Sequence, residues 1–236
     1  MKRTVVITGG TKGLGRELAL VFGNAGYFVV ALYASDDAVA EQLRVPLDAT
    51  KGRGCVLRHD VTSEDPAVWN HPEIQEADSL ALIHNACASF SPVPMHQLSY
   101  RDFESSLDVG LKGAWLCSGA LIRLMIKKGG GVIVNVLTSA IGGPAPKGFA
   151  PYVTAKHALR GFTLALAAEY RPRGLRVFTV SPGFMDTPLT QGWDARLRDA
   201  IRSASPRITE PVAAANRVLE LVEKGAQPGN GEDYPI

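Results

Sequence analysis

Short apolar runs and amphipathic stretches alternate along most of this chain. Runs dense in Val, Ile and Leu at Arg3–Thr8, Phe28–Leu32, Gly54–His59, Leu80–His84, Val132–Leu137 and Arg176–Val180 predict strands. Between them apolar residues recur at helical spacing, which predicts helices over Gly13–Asn24, Ala38–Leu47, Tyr100–Lys127, Tyr152–Tyr170 and Glu210–Lys224. Such alternation predicts an α/β fold with a doubly wound, mostly parallel sheet and helices on both faces. Val132–Leu137 and Val177–Val180 are apolar almost throughout, as strands buried on both faces must be. Two proline-rich pieces, Ser91–Pro94 and Pro144–Pro146, read as loops near strand ends. No repeat or linker composition divides the chain, so residues 1–236 are expected to form a single domain.

Composition narrows the function classes. With 46% apolar content over 236 residues, one sizeable core is affordable. The net charge of +2 is spread along the chain, so nucleic acid is not an expected partner. Met1-Lys2-Arg3 leads straight into the first strand, no leader is expected, and no apolar stretch is expected to span a membrane. Cys55, Cys87 and Cys117 lack Cys-x-x-Cys spacing, which argues against a disulfide framework or a metal site and for reduced thiols in a cytoplasmic protein.

Two motifs carry chemistry. After the first strand comes Thr8-Gly9-Gly10-Thr11-Lys12-Gly13-Leu14-Gly15, then an amphipathic stretch with Leu14, Leu18, Val21 and Phe22 at helical spacing. A strand, a glycine turn and a helix start suit phosphate, because glycines let the backbone approach closely and the helix start offers free N–H groups. The spacing Gly-x-x-x-Gly-x-Gly differs from the common dinucleotide fingerprint. Further on, Ser139, Tyr152 and Lys156 stand in one stretch. Lysine four residues after tyrosine puts both on one helix face, where the ammonium would lower a phenol pKa that is ordinarily about 10. Each of the three also has an ordinary reading: a turn cap, a packed phenol and a solvated cation.

The ordered landmarks resemble those of the short-chain dehydrogenase/reductase family, of the kind represented by bacterial 3-oxoacyl-ACP reductases. They are Thr8–Gly15, Asp60-Val61, His84-Asn85-Ala86-Cys87, Ser139 with Tyr152 and Lys156, and Ser181-Pro182-Gly183 with Thr187. The resemblance implies a Rossmann fold and a nicotinamide dinucleotide held by Gly9, Thr11, Lys12, Gly13, Leu14, Gly15, Asp60, Val61, Asn85, Ala86, Pro182, Gly183 and Thr187, with Tyr152 and Lys156. It implies that Tyr152 passes a proton to a ketone oxygen held by Ser139. No acid sits directly at the tip of the second strand and Lys12 matches a basic position of NADP-preferring relatives, so NADP(H) is expected over NAD(H). A solvated loop cation remains the other reading of Lys12.

The same resemblance implies a lid over roughly residues 184–205, with Phe184, Met185, Leu189 and Trp193 as an apolar wall for a β-ketoacyl thioester or polyketide-like carbonyl. Lys127, Lys128 and Arg173 are candidates to meet an acidic acyl carrier protein. A homodimer or homotetramer is implied, through helices bearing Ala155, Ala158, Gly161, Ala165 and Ala168. Two departures stand out. Gly110 replaces the family's usual catalytic asparagine, and Cys87 replaces a usual glycine and narrows the nicotinamide space. His84 is read as a packed or hydrogen-bonded histidine. The missing asparagine keeps open a catalytically impaired, cofactor-binding subunit, and oxidation of a secondary alcohol uses the same residues as reduction.

Overall fold

In the computed structural model, which describes residues 1–205, 207–224 and 229–236, strands and helices alternate as the pattern predicts. The strands are β1 (Arg3–Ile7), β2 (Phe28–Tyr33), β3 (Gly54–Arg58), β4 (Ser79–His84), β5 (Gly131–Val136), β6 (Leu175–Ser181) and β7 (Asp233–Pro235). The helices are α1 (Gly13–Asn24), α2 (Asp37–Asp48), α3 (Pro72–Gln75), α4 (Tyr100–Leu107), α5 (Gly113–Lys127), α6 (Ala150–Tyr170), α7 (Pro188–Gln191), α8 (Ala195–Ala204) and α9 (Pro211–Glu223). The strands form one parallel sheet in the order β3-β2-β1-β4-β5-β6-β7. Strand order reverses between β1 and β4, and a crevice opens at their carboxyl ends.

Successive strand residues serve opposite faces, which is why the central strands carry no polar alternation. Val5, Ile7, Val29 and Ala31 pack with Leu18 and Phe22 of α1 and Val218 of α9. Val6, Val30, Leu80 and Leu82 pack on the other face with Cys117, Leu121 and Met125 of α5 and Leu166 of α6. The stretch Tyr100–Lys127 corrects one expectation: at 28 residues and mean hydropathy 1.4 in its best window, it is long and apolar enough to cross a membrane. Its apolar side instead serves the sheet through Cys117, Leu121 and Met125. It is also not one α-helix, because a π-helical turn at Asp108–Lys112 separates α4 from α5. β7 has no counterpart in the predicted strands, since three residues including an acid and a proline carry no strand signal. It is recruited by tertiary bonds: the Asp233 carboxylate accepts from the hydroxyls of Thr179 (2.7 Å) and Ser181 (2.8 Å).

Candidate active site

The glycine loop is shaped by close approach. Gly9 and Gly13 take left-handed backbone conformations (φ +61° and +48°) that favour glycine. A Cβ on Gly15 would lie 2.0 Å from the Gly9 carbonyl oxygen, so only glycine lets α1 start against the loop. Lys12 caps α1 without a side-chain hydrogen bond, and the first turn holds no acid. Its N–H groups are therefore suited to an anion. Asn85 braces the loop: its side-chain amide donates to the carbonyls of Thr8 (3.1 Å) and Gly9 (3.0 Å). The Thr8 hydroxyl in turn accepts from the backbone N–H groups of Asn85 and Ala86 (3.0 Å each).

A cleft of about 350 Å³ runs along this loop, and Gly9, Thr11, Lys12, Gly13 and Leu14 line it. Tyr33, Ala34, Ser35 and Asp36 line it beyond β2, and Asn85, Ala86 and Cys87 beyond β4. Lys12 is not a free loop cation. Its ammonium pairs with Asp36 at 2.5 Å, which holds the Asp36 carboxyl below the usual range. A carboxylate just beyond β2 thus pairs with the expected cation, a pairing that the sequence did not reveal. Glycines that leave room for a pyrophosphate, an uncapped helix start and a charged pair beyond β2 fit a dinucleotide.

Five expected cofactor residues do not line this cleft. Asp60 accepts from the N–H (2.9 Å) and hydroxyl (2.8 Å) of its own neighbour Thr62, and Val61 is buried beside Gly113. Gly15 acts through packing, and the Pro182 carbonyl accepts the Ser139 N–H at 2.8 Å. Gly183 lines a second cavity rather than this one, while Thr187 lines both.

Ser139, Tyr152 and Lys156 are brought together where the two cavities meet. Tyr152 and Lys156 lie a turn apart at the start of α6 and both line the cleft. Tyr152 also lines the second cavity, of about 730 Å³, together with Ser139. Lys156 is 5% exposed and donates to the Val136 carbonyl at 2.6 Å, with its nitrogen 5.7 Å from the Tyr152 ring centre. Burial lowers the Lys156 pKa. Tyr152 departs from expectation. Burial first, then the neighbouring Cys87, pushes its phenol above the ordinary value, opposed by a hydrogen bond with Thr138. The lysine does not acidify the phenol here, because its ammonium is directed to a strand-end carbonyl. A phenol held protonated is a proton donor at neutral pH.

The second cavity has an aromatic corner that the sequence reading did not contain. Phe90 stacks on Tyr152 (centroids 4.7 Å apart, planes 13° apart), and Phe149 and Trp193 meet Phe90 edge-on at 5.1 and 5.2 Å. The Trp193 indole donates to the Phe90 carbonyl at 2.8 Å, tying the segment between α7 and α8 to the loop after β4. Phe184, Met185, Leu189 and Trp193 all line the cavity, as does one face of α8 through Leu197, Ala200, Ile201 and Ala204. Phe90 and Phe149 each stand in proline- or glycine-punctuated loops, where an isolated aromatic has no periodic core to join. That was the available signal.

The remaining expectations divide. His84 hydrogen-bonds the Ser118 hydroxyl at 2.9 Å, and burial holds it neutral, with a pKa of about 3. Cys87 lines the cleft, its thiol pushed up by burial. A Cβ on Gly110 would meet only the Ala155 methyl, at 3.4 Å. Ala155 is therefore packed inward, whereas Gly161, Ala165 and Ala168 face outward on α6. Lys127, Lys128 and Arg173 precede β5 and β6, at the amino ends of the strands, and the cavities open at the carboxyl ends. A six-residue strand puts roughly 20 Å between the two, and Lys128 is already bonded to the Gln75 carbonyl (2.8 Å). Among the described residues no group of three or more His, Cys, Asp or Glu is placed to hold a metal ion.

Comparison with known proteins agrees with this fold. A family described as short chain dehydrogenase matches residues 3–198. Cis-4-hydroxycyclohexanecarboxylate dehydrogenase of Sinomonas cyclohexanicum is 30% identical over 231 residues, covering 95% of this chain and 91% of that protein. A 3-oxoacyl-(acyl-carrier-protein) reductase of Staphylococcus epidermidis is 28% identical, covering 100% and 98%. Among solved structures, a putative gluconate dehydrogenase from Agrobacterium tumefaciens superposes with a TM-score of 0.87 at 26% identity, covering 99% and 94%. Levodione reductase also gives 0.87, at 23% identity over 99% and 95%, a likeness of fold alone.

Proposed function

The chain belongs to the short-chain dehydrogenase family and is a nicotinamide-dependent oxidoreductase acting on CH–OH or C=O groups; from that premise we propose that it reduces a ketone on an apolar substrate with NADPH, Tyr152 serving as proton donor. The observation that carries this reading is the position of Tyr152, which alone of the trio lines both cavities. A nicotinamide bound in the cleft would supply the hydride. Ser139, on the substrate side, holds the carbonyl oxygen as negative charge develops on it. Tyr152 transfers its proton to that oxygen, and the phenolate left behind draws the Lys156 ammonium, one turn away, from the Val136 carbonyl towards itself. Phe90, Phe149 and Trp193 exclude water from the reacting oxygen, which strengthens these interactions.

Lys12 supports NADPH through attraction to a 2′-phosphate, and its pairing with Asp36 leaves a carboxylate for a 2′-hydroxyl. The names of two relatives frame the substrate as an acyl thioester or a ring-bearing hydroxy acid, and the apolar cavity suits either. The outward face of α6 with Gly161, Ala165 and Ala168 supports association of copies of this chain. The test is turnover of NADPH and NADH with a panel of cyclic ketones, β-ketoesters and acetoacetyl thioesters, and of NADP⁺ with the matching alcohols. Tight cofactor binding with no turnover across the panel would overturn the reading in favour of an impaired subunit, the outcome that Gly110 makes worth testing.

A further inference from the structure

The substrate cavity has one charged side chain among its described lining residues, Lys147. The rest of that lining is apolar or weakly polar and includes Pro144, Pro146, Phe149, Phe184, Leu197 and Ile201. Among the described residues no carboxylate pairs with Lys147, and it is exposed to solvent. The chain also fixes where this cation stands. Residues Pro146-Lys147-Gly148-Phe149 close a turn, with the Phe149 N–H donating to the Pro146 carbonyl at 3.3 Å and Gly148 left-handed at φ +82°. That is the pattern of a type II turn with Lys147 at its second position. The Gly148 carbonyl accepts the Val93 N–H at 3.3 Å, and a Cβ on Gly148 would lie 2.7 Å from the Val93 nitrogen. Two prolines and this close tether stiffen the loop, so little backbone entropy is lost when the lysine engages a ligand.

We infer that Lys147 is a specificity residue that selects substrates carrying an anionic group at the end remote from the reacting carbonyl. The inference rests on reading the larger cavity as the substrate site. An uncompensated cation beside low-dielectric walls raises the local concentration of anions and favours them over neutral isosteres. The anion has two chemical sources: a carboxylate on the substrate's own skeleton, or the phosphate of a phosphopantetheine thioester arm. An anion held by Lys147 leaves the carbonyl to Ser139 and Tyr152, which line the same cavity.

Two matched pairs of probes test this on the intact protein: 4-oxocyclohexanecarboxylate against its methyl ester, and acetoacetyl-phosphopantetheine against acetoacetyl-pantetheine. The wild type is expected to favour the anionic member of at least one pair in kcat/KM, and the pair that responds identifies the source. Lys147→Ala should reduce that preference about fivefold through KM while leaving kcat and the neutral member unchanged. Lys147→Glu should invert the preference, Lys147→Arg should keep it, and added salt should erode it. Equal treatment of both members in wild type and variants would overturn the inference while leaving carbonyl reduction intact. Should no probe or panel ketone turn over, the proposed reaction fails instead. The same ratios, measured calorimetrically as binding, then decide Lys147 independently.

Discussion

The two cavities that meet at Tyr152 are built differently. The cofactor cleft is assembled from backbone: glycines in contact with strand-end peptides, the Asn85 amide on the Thr8 and Gly9 carbonyls, and a helix start. The substrate cavity is assembled from side chains: three aromatic rings around Tyr152, one face of α8 and, among the described residues, a single cation. Backbone geometry tolerates little variation, so the first region reads as a motif. Side-chain walls can be exchanged one residue at a time, so the second is individual to the chain. Gly110 and Cys87 are exceptions, individual residues close to the backbone-built half.

The strongest test of this division is at the junction. Tyr152→Phe should lower kcat about 10³-fold while cofactor affinity is retained, because only the hydroxyl is lost. A matching loss of cofactor binding, read by fluorescence titration, would show that the halves are not separable.

His84 lies under the cofactor half, next to the bracing Asn85. Unfolded, it would titrate near its ordinary value of 6.5; folded, it stays neutral down to about 3. A depressed pKa contributes stability that is present above pH 6.5 and lost as pH falls towards 3. By pH 5 the loss is about 2 kcal/mol. Thermal melting should fall between pH 7 and 5, and His84→Gln should flatten that dependence. The smallest effect concerns Lys12. Lys12→Ala should raise the KM for NADPH about tenfold and leave that for NADH nearly unchanged, as steady-state kinetics with both would show. Equal changes would mean that the Lys12–Asp36 pair shapes the loop rather than reading the ribose.

Much of this was legible before any coordinates. The extent of α1 matches its prediction residue for residue, because a strand, a glycine turn and an apolar 3.6-residue repeat leave few alternatives. All six of the predicted strands differ by only one or two residues from the observed ones, for the same local reason. β7 was not legible, since it exists through Asp233 bonded to β6 and not through its own propensity. Nor was the π-helical turn at Asp108–Lys112, which interrupts a pattern that reads as continuous helix.

By itself the chain determined its class of fold, its glycine loop and the Ser139–Tyr152–Lys156 constellation, since these depend on short-range periodicity and fixed spacing. Tertiary structure decided that Lys156 bonds the Val136 carbonyl, that Lys12 pairs with Asp36, and that Phe90, Phe149 and Lys147 join Trp193 around the substrate space. These depend on which loops converge at the strand ends, and convergence between residues as far apart as Phe90 and Trp193 leaves no trace in local sequence.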